Sequence, residues 1–425
     1  MIIRRIWIIA VLGLSFLLND SLLMAQTQSR QNEQSVGCLE FNQANKTQQK
    51  KHYFESLLND SPFQTQFSGL QSKSFYKSKK IVLISGDEEY RSEEMLTQWA
   101  KILAFHHGFD CVVLYSINKE TGFIDPLTQN NIPGLNELRN ADLMVIFTRF
   151  RDLPDDQMKE IDDYLQSGRP VLGIRTATHA FAIPQNRPFS HYSFDYQNSD
   201  EKSNSDENSD WTQGFGRKIL GETWISHHGN HGVEATRGII SSEEANHPIL
   251  KGVSDIFGLT DVYSVRLPLP DGCRPLVFGQ VLQGMSPKDK PVQNEKNNPM
   301  IPVVWVKKYS VNINIGNKEL FDLQNNQKSM TQNVISVKKV DSTDQNDDLL
   351  QGNHKVFVST MGSGEDFQNE GYRRLLVNAV YWLNDLEDQI PEAATVEFLE
   401  QYEPNSMGFG QFKKNVKPTD WQTIH

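Results

Sequence analysis

The sequence predicts an α/β protein built on a three-layer, doubly wound and mostly parallel sheet. Three observations support this fold class. Short apolar runs typical of buried strands alternate with amphipathic helical patterns from residue 80 onward. Charged residues follow these apolar runs directly, as they do at the carboxyl ends of parallel strands. The chain has 425 residues, which is enough for one large α/β domain.

The elements follow one another in a regular order. Apolar runs predict strands at residues 80–85, 110–115, 142–147, 170–174, 302–306 and 355–360, and helical spacing predicts helices at residues 92–107, 154–167 and about 370–385. In the first helix, Leu96, Trp99 and Leu103 form an apolar stripe, and Ser92 is the expected N-cap. Glu93 and Glu94 suit the positive end of that helix dipole.

The rest of the chain divides by composition. Residues 1–25 resemble an export signal, with a short basic stretch followed by an apolar one, so we expect an exported protein, periplasmic or extracellular. An uncleaved membrane anchor is the alternative. Residues 26–78 read as a polar linker or lead-in, residues 79–386 as the folded domain, and residues 387–425 as a tail. Polar tracts at residues 197–210 and 310–351 predict surface insertions in the domain.

Composition also excludes several classes of function. The net charge of −11 argues against a nucleic-acid partner, and no basic block indicates an anionic membrane surface beyond the leader segment. The glycine patterns that cradle phosphates are absent, so we expect no nucleotide cofactor. Cys38, Cys111 and Cys273 share no metal-binding or redox spacing. The oligomeric state is left open.

Four strand ends carry charged segments that a parallel sheet would bring to one edge. We call this set the polar rim, and it comprises Asp87, Glu88, Glu89, Tyr90, Arg91, Arg149, Arg151, Arg175, His179, Glu365 and Asp366. Single members of such a set are often ordinary surface ion pairs. Convergence of four strand ends on charged residues favours a polar ligand pocket.

The segment "WISHHGNHG" holds three histidines, His227, His228 and His231. Their spacing permits a divalent metal site, and we take His228 and His231 as its ligands because adjacent residues of an extended segment face opposite ways. The alternative is that the histidines act as hydrogen-bonding or acid/base groups without metal. No other cofactor is indicated.

An ordered set of motifs resembles the ThuA-like (trehalose-utilisation) family across residues 79–386. The motifs are "VLISGDEEYRSEE", "VLGIRTATHAF", "GETWISHHG", "NHPILKGV", "PVVWVKKY" and "VFVSTMGSGEDFQNEGYRRLLVNAVYWL". The resemblance implies a flavodoxin-like fold of the class I glutamine-amidotransferase-like type and a role in carbohydrate use. Many members carry a histidine where this chain has Ser363, and often another after the first strand, where Glu88 to Arg91 stand.

The same resemblance aligns "PVLGIR" with the amidotransferase segment "PVLGIC", which places Arg175 at the nucleophile corner. An arginine cannot form a thioester, so glutamine hydrolysis is not expected. We expect instead an enzyme that acts on a carbohydrate or modified sugar by acid/base or metal-assisted chemistry. The predicted catalytic residues are His179, His228, Glu88 and Glu89, and the predicted substrate-binding residues are Arg91, Arg149, Arg151, Arg175, Thr176, His227, Glu365 and Asp366. The alternative is a sugar-binding or scaffold protein without turnover.

Overall fold

The computed structural model describes residues 64–68, 78–198, 210–308 and 354–422. Its strands are β1 (Gln64–Phe67), β2 (Lys80–Gly86), β3 (Asp110–Tyr115), β4 (Leu143–Thr148), β5 (Val171–Ile174), β6 (Thr236–Ile240), β7 (Phe257–Gly258), β8 (Arg274–Val281), β9 (Ile301–Lys308) and β10 (Lys355–Ser359). The α-helices in these ranges are α1 (Ser92–His107), α2 (Asp155–Gln166) and α3 (Glu370–Leu383). All ten strands belong to one sheet, in the order β1-β3-β2-β4-β5-β10-β9-β8-β6-β7.

The prediction of a three-layer, doubly wound and mostly parallel sheet was wrong. Strands β3, β2, β4, β5 and β10 run parallel to one another, but β1 and the β9-β8-β6-β7 half pair antiparallel. Only three α-helices occur in the described ranges, too few to wind over both faces of ten strands. The physical reason is that β6 to β9 follow one another without intervening α-helices, so the β/α alternation of residues 80–174 does not extend to them.

The parallel half of the sheet positions the strand ends that matter below. Strand β2 lies between β3 and β4, with Ile81 opposite both Cys111 and Leu143. Every residue of β4 is buried, as expected for a strand covered on both faces. The carboxyl ends of β2, β4, β5 and β10 therefore lie side by side along one edge of the sheet.

The predicted helices are confirmed to within a few residues, but one capping detail differs. No side chain caps α1, and the residue at its N-cap is Arg91, with a φ of 59°. The Ser92 hydroxyl instead bonds the Ser85 hydroxyl at 2.8 Å and accepts from the Asp87 amide at 3.2 Å. Ser92 therefore ties the first turn of α1 to the end of β2.

The polar segments lie largely outside the described residues. This applies to the predicted export signal at residues 1–25, to most of residues 26–78, to most of the predicted insertion at residues 197–210 and to all of the one at residues 310–351. Within residues 26–78, sequence reasoning missed β1, which pairs antiparallel with β3. The Asn198 amide donates to Asp210 at 3.0 Å, so the first insertion leaves and rejoins the domain at one place. No helix in the described ranges is long and apolar enough to cross a bilayer.

Candidate functional site

The polar rim is one connected network of charged and hydroxyl groups. Glu88, after β2, forms ion pairs with Arg149 and Arg151, after β4, each at 2.5 Å. Asp87 accepts a 2.7 Å hydrogen bond from the Thr176 hydroxyl, after β5. The strand ends thus converge as the sequence indicated. Both oxygens of the Glu88 carboxylate form ion pairs with arginines of the protein itself.

Arg175 lies at the centre of this network and is fully buried. Its backbone has a φ of 47°, an uncommon value for a residue with a side chain. The guanidinium stacks on the rings of Tyr263 at 3.5 Å and Tyr90 at 4.6 Å. It donates to the Asp261 carboxylate at 2.7 Å and to the carbonyls of Asp261 and Thr360 at 2.6 and 2.8 Å. Arg175 therefore positions Asp261 and does not reach solvent.

Asp261 holds two histidines at the surface, and we call His227, His231 and Asp261 the histidine–aspartate cluster. Its carboxylate contacts Nδ1 of His227 at 2.8 Å and Nδ1 of His231 at 3.2 Å. Burial alone would raise the pKa of Asp261, but Arg175 and hydrogen bonds from both histidines outweigh burial and lower it. An ionised carboxylate can only accept, so each Nδ1 donates, and in a neutral imidazole Nε2 then keeps the lone pair.

Glu89 lies beside this cluster. Its carboxylate is 3.4 Å from Nε2 of His231 and 3.6 Å from Nε of Arg149. Burial, followed by the charge of Asp87, raises the pKa of Glu89 above its usual value, against the opposing effect of Arg149. The hydrogen bond to Asp261 raises the pKa of His231. Glu89 and His231 are thus two neighbouring groups that can exchange a proton.

Backbone pairing explains which histidine joins the cluster. His227 forms a bridge with Tyr263, and the amide of His228 donates to the Val262 carbonyl at 2.8 Å. Because side chains alternate along an extended segment, His227 faces Asp261 and His228 faces away. Nε2 of His228 donates to the Lys296 carbonyl at 2.9 Å. The structure therefore brings His231 together with His227, not with His228 as the sequence analysis had paired them.

His179 is buried among aromatic side chains and does not reach the exposed side of the histidine–aspartate cluster. Its ring lies 4.8 Å from that of Phe150, 5.2 Å from that of Trp224 and 6.0 Å from that of Tyr263. Burial, followed by the charges of Arg149 and Arg175, holds its pKa well below the usual value. His179 is therefore a neutral imidazole at physiological pH.

The outer members of the rim contact the C-terminal segment. The Met407 amide donates to Glu365 at 2.9 Å, and the Gly408 amide donates to the Glu89 carbonyl at 2.7 Å.

Arg91 is fully buried and donates to the Glu88 carbonyl at 2.6 Å. Asp366, also buried, accepts from Thr260 and from the Gly362 amide, so it organises the backbone after β10.

Three further residues of the site were missed in the sequence: Asp261, Trp224 and Phe409. Trp224 packs against His179 and His227, and its Nε1 is buried without a hydrogen-bond partner among the described residues. Phe409 is 58% exposed and covers the Arg149 guanidinium at 5.2 Å. The only sequence signal for Asp261 was its alternation with Tyr263 in "LTDVY", which places both on one face of an extended segment.

The resulting site is an open surface with two kinds of lining. Its polar part consists of Glu89, Arg149 and the histidine–aspartate cluster, of which both histidine side chains are 36% exposed. Its aromatic part consists of Trp224 and Phe409. Such a lining can orient a small polar ligand, move a proton, or hold a metal ion through His227, His231 and Asp261.

Arg175, directly after β5, predicts that the protein has no glutaminase activity. We expect a glutamine-analogue alkylating reagent to leave residues 170–181 unmodified, because Arg175 stands there. Burial raises the pKa of both Cys111 and Cys273, which keeps these thiols protonated and poorly reactive. Peptide mass spectrometry measures this, and an adduct on residues 170–181 would refute it. Cys38 lies outside the described residues.

Three comparisons with known proteins give matches only among solved structures. No protein-family model matches the chain, and no curated protein matches it. A solved ThuA-like protein from Bacteroides uniformis is 12% identical with a TM-score of 0.37, and the match covers 74% of this chain and 95% of that one. A second ThuA-like protein, from Parabacteroides merdae, is 14% identical with a TM-score of 0.38 and coverages of 79% and 96%.

A third solved structure is described as a cytoplasmic protein from Salmonella typhimurium. It is 14% identical to this chain with a TM-score of 0.32, and the match covers 71% of this chain and 98% of that one.

Proposed function

We propose that this ThuA-like chain binds a carbohydrate or modified sugar and transforms it by acid/base or metal-assisted chemistry. The observation that carries the proposal is the histidine–aspartate cluster. A buried carboxylate, fixed by Arg175, holds two partly exposed imidazoles by their Nδ1 atoms. In a neutral imidazole held in this way, Nε2 is left able to accept a proton.

The lining of the site supports a sugar as the ligand. Sugar rings present apolar faces edged by hydroxyl groups, and such ligands suit aromatic surfaces next to fixed polar groups. Trp224 packs against His227 of the cluster, and Phe409 lies against Arg149, which contacts Glu89.

Within this proposal, Glu89 is the residue best placed to transfer a proton. It is near Nε2 of His231 and is held by Arg149, which fixes its orientation. Arg149 is 20% exposed in its side chain and can donate to a ligand hydroxyl or carbonyl. Thr176 and Arg151 hold the carboxylates of Asp87 and Glu88 and so act through other residues.

A binding protein without turnover is the second candidate. The observation that favours it is the burial of His179, which removes one of the two imidazoles expected to act as a proton-transfer pair. Export to the periplasm or cell exterior is likewise proposed, on the basis of residues 1–25.

The test is to incubate the purified protein with a panel of native and oxidised disaccharides and to follow both binding and product by mass spectrometry. We expect turnover of at least one sugar and a loss of about 100-fold or more in kcat for Glu89→Gln, since general acid–base groups contribute that much. The control is Lys159→Ala, in an exposed ion pair on α2. Binding without turnover would establish the second candidate, and neither binding nor turnover would refute both.

A further inference from the structure

We propose that the histidine–aspartate cluster is a binding site for one divalent transition-metal ion, with Zn²⁺ the best fit. The inference concerns the same surface as the proposed function, but it does not depend on a sugar being the substrate. It also assigns the ligands differently from the sequence, with His227 in the place of His228.

The first support is the spacing of the donor atoms. One ligand atom from each of His227, His231 and Asp261 can be chosen so that all lie within 4.8 Å of one another. Tetrahedral Zn²⁺ holds its nitrogen and oxygen ligands at about 2.0–2.2 Å, which places them roughly 3.4 Å apart. The observed contacts of 2.8 and 3.2 Å between Asp261 and the two imidazoles are close to that separation. An ion in this place replaces the two hydrogen bonds, so that each imidazole binds it through Nδ1 and carries its ring proton on Nε2.

The second support is the chemistry of the donors. Two imidazoles and one carboxylate suit Zn²⁺ and related transition metals, whereas Ca²⁺ and Mg²⁺ prefer oxygen ligands alone. Arg175 fixes the Asp261 carboxylate from behind, as supporting residues do for metal ligands. In the ranges that the structure describes, this is the one group of three such side chains with metal-binding spacing.

The third support is the position of the cluster relative to solvent. The Asp261 side chain is fully buried and both histidine side chains are 36% exposed, so an ion would lie between the protein interior and the surface. Three protein ligands leave the outward position of a tetrahedral ion free for water or substrate, which is the arrangement of catalytic zinc sites. Glu89 borders that open side.

The experiment uses the full chain without an affinity tag, freed of metal with a chelator and dialysed. Zn²⁺ is titrated by calorimetry, and bound metal is counted by elemental analysis after gel filtration. We expect one Zn²⁺ per chain, and we expect His227→Ala and His231→Ala each to weaken binding by about 100-fold or more, since changing even supporting residues costs 10–100-fold. His228→Ala is the matched control, and it should bind as the unmodified protein does.

Two outcomes would overturn the proposal. One is binding well below one equivalent, and the other is equal weakening by His228→Ala and His231→Ala. Co²⁺ provides an independent measurement, because tetrahedral Co²⁺ absorbs visible light strongly, and His231→Ala should remove that absorption. Circular dichroism shows whether each variant is folded. Weaker binding caused by the loss of a metal ligand can therefore be distinguished from weaker binding caused by unfolding. The titration contains no sugar, so its failure would leave the sugar-binding result of the proposed function intact.

Discussion

Replacing Arg175 by alanine is expected to lower the free energy of unfolding by about 3–5 kcal/mol. Removing one partner of a buried ion pair has a cost of this size because the other charge stays buried without compensation. Here the stranded charge is Asp261, whose side chain is fully buried. The substitution also removes the stacking of the guanidinium on the rings of Tyr90 and Tyr263, and it leaves the Thr360 carbonyl without the donor from Arg175. Urea denaturation monitored by fluorescence measures the change.

Two variants separate the charge effect from simple loss of packing. Arg175→Met retains most of the side-chain volume but leaves Asp261 uncompensated, so it should remain strongly destabilised. Adding Asp261→Asn to it removes the stranded charge and should recover part of the loss. The control is Arg139→Ala, which breaks a pair whose arginine is 69% exposed, and it should cost less than about 1 kcal/mol. Equal effects of Arg175→Ala and Arg139→Ala would contradict the central role assigned to Arg175.

Local patterns in the sequence were sufficient to predict the parallel half of the sheet. Strands β2 to β5 are short apolar runs separated by helical or turn segments, so each could be recognised from its own residues. The antiparallel half depends on pairings between segments distant in sequence, such as Thr236 with Gly258 and with Val281. Strand β6, for example, contains Arg237 and Gly238 and has no run of apolar residues to mark it. Apart from β9, which an apolar run predicted at residues 302–306, that half therefore could not be predicted from local patterns.

The candidate site divides in the same way. The rule that ligands bind at the carboxyl ends of parallel strands correctly brought together Glu88, Arg149 and Arg151. It could not identify Asp261, which reaches the site because residues 226–229 pair with residues 262–264 in the backbone. Nor could it tell that Arg175 and His179 are buried behind the surface. Charge and position along a strand indicate an edge of the sheet, whereas burial depends on what packs over it.

Glu93 illustrates the same limit and leads to a prediction about pH. Its place in the first turn of α1 suits the positive end of the helix dipole but does not reveal its burial, and its side chain is only 2% exposed. Burial raises the pKa of Glu93 to about 8, although Arg91, whose Nε is 3.8 Å away, opposes the shift. Glu94 and Asp87 add to the increase, and Tyr115 and Tyr402 are the other titratable groups that face it.

We expect this group to make the protein less stable as the pH rises. The folded-state pKa is above the usual glutamate value of 4.5, so the stabilising contribution is complete below about pH 4.5 and is lost as the pH rises to about 8. Each unit of difference corresponds to about 1.4 kcal/mol, which gives a total loss of roughly 5 kcal/mol. Glu93→Gln keeps the shape of the side chain without the charge. Its free energy of unfolding should therefore exceed that of the unmodified protein progressively between pH 5 and pH 9.

Urea denaturation of both proteins at pH 5, 7 and 9 measures the difference. Taking the difference between the two cancels other groups that titrate in the same range, such as His231, because both proteins retain them. Glu370→Gln is the matched control, since the Glu370 side chain is 63% exposed and its ion pair with Arg374 lowers its pKa. The free energy of unfolding of Glu370→Gln should change between pH 5 and pH 9 as that of the unmodified protein does. Parallel curves for Glu93→Gln and the unmodified protein would mean that Arg91 compensates the buried carboxylate fully, and the first turn of α1 would then hold a stable ion pair.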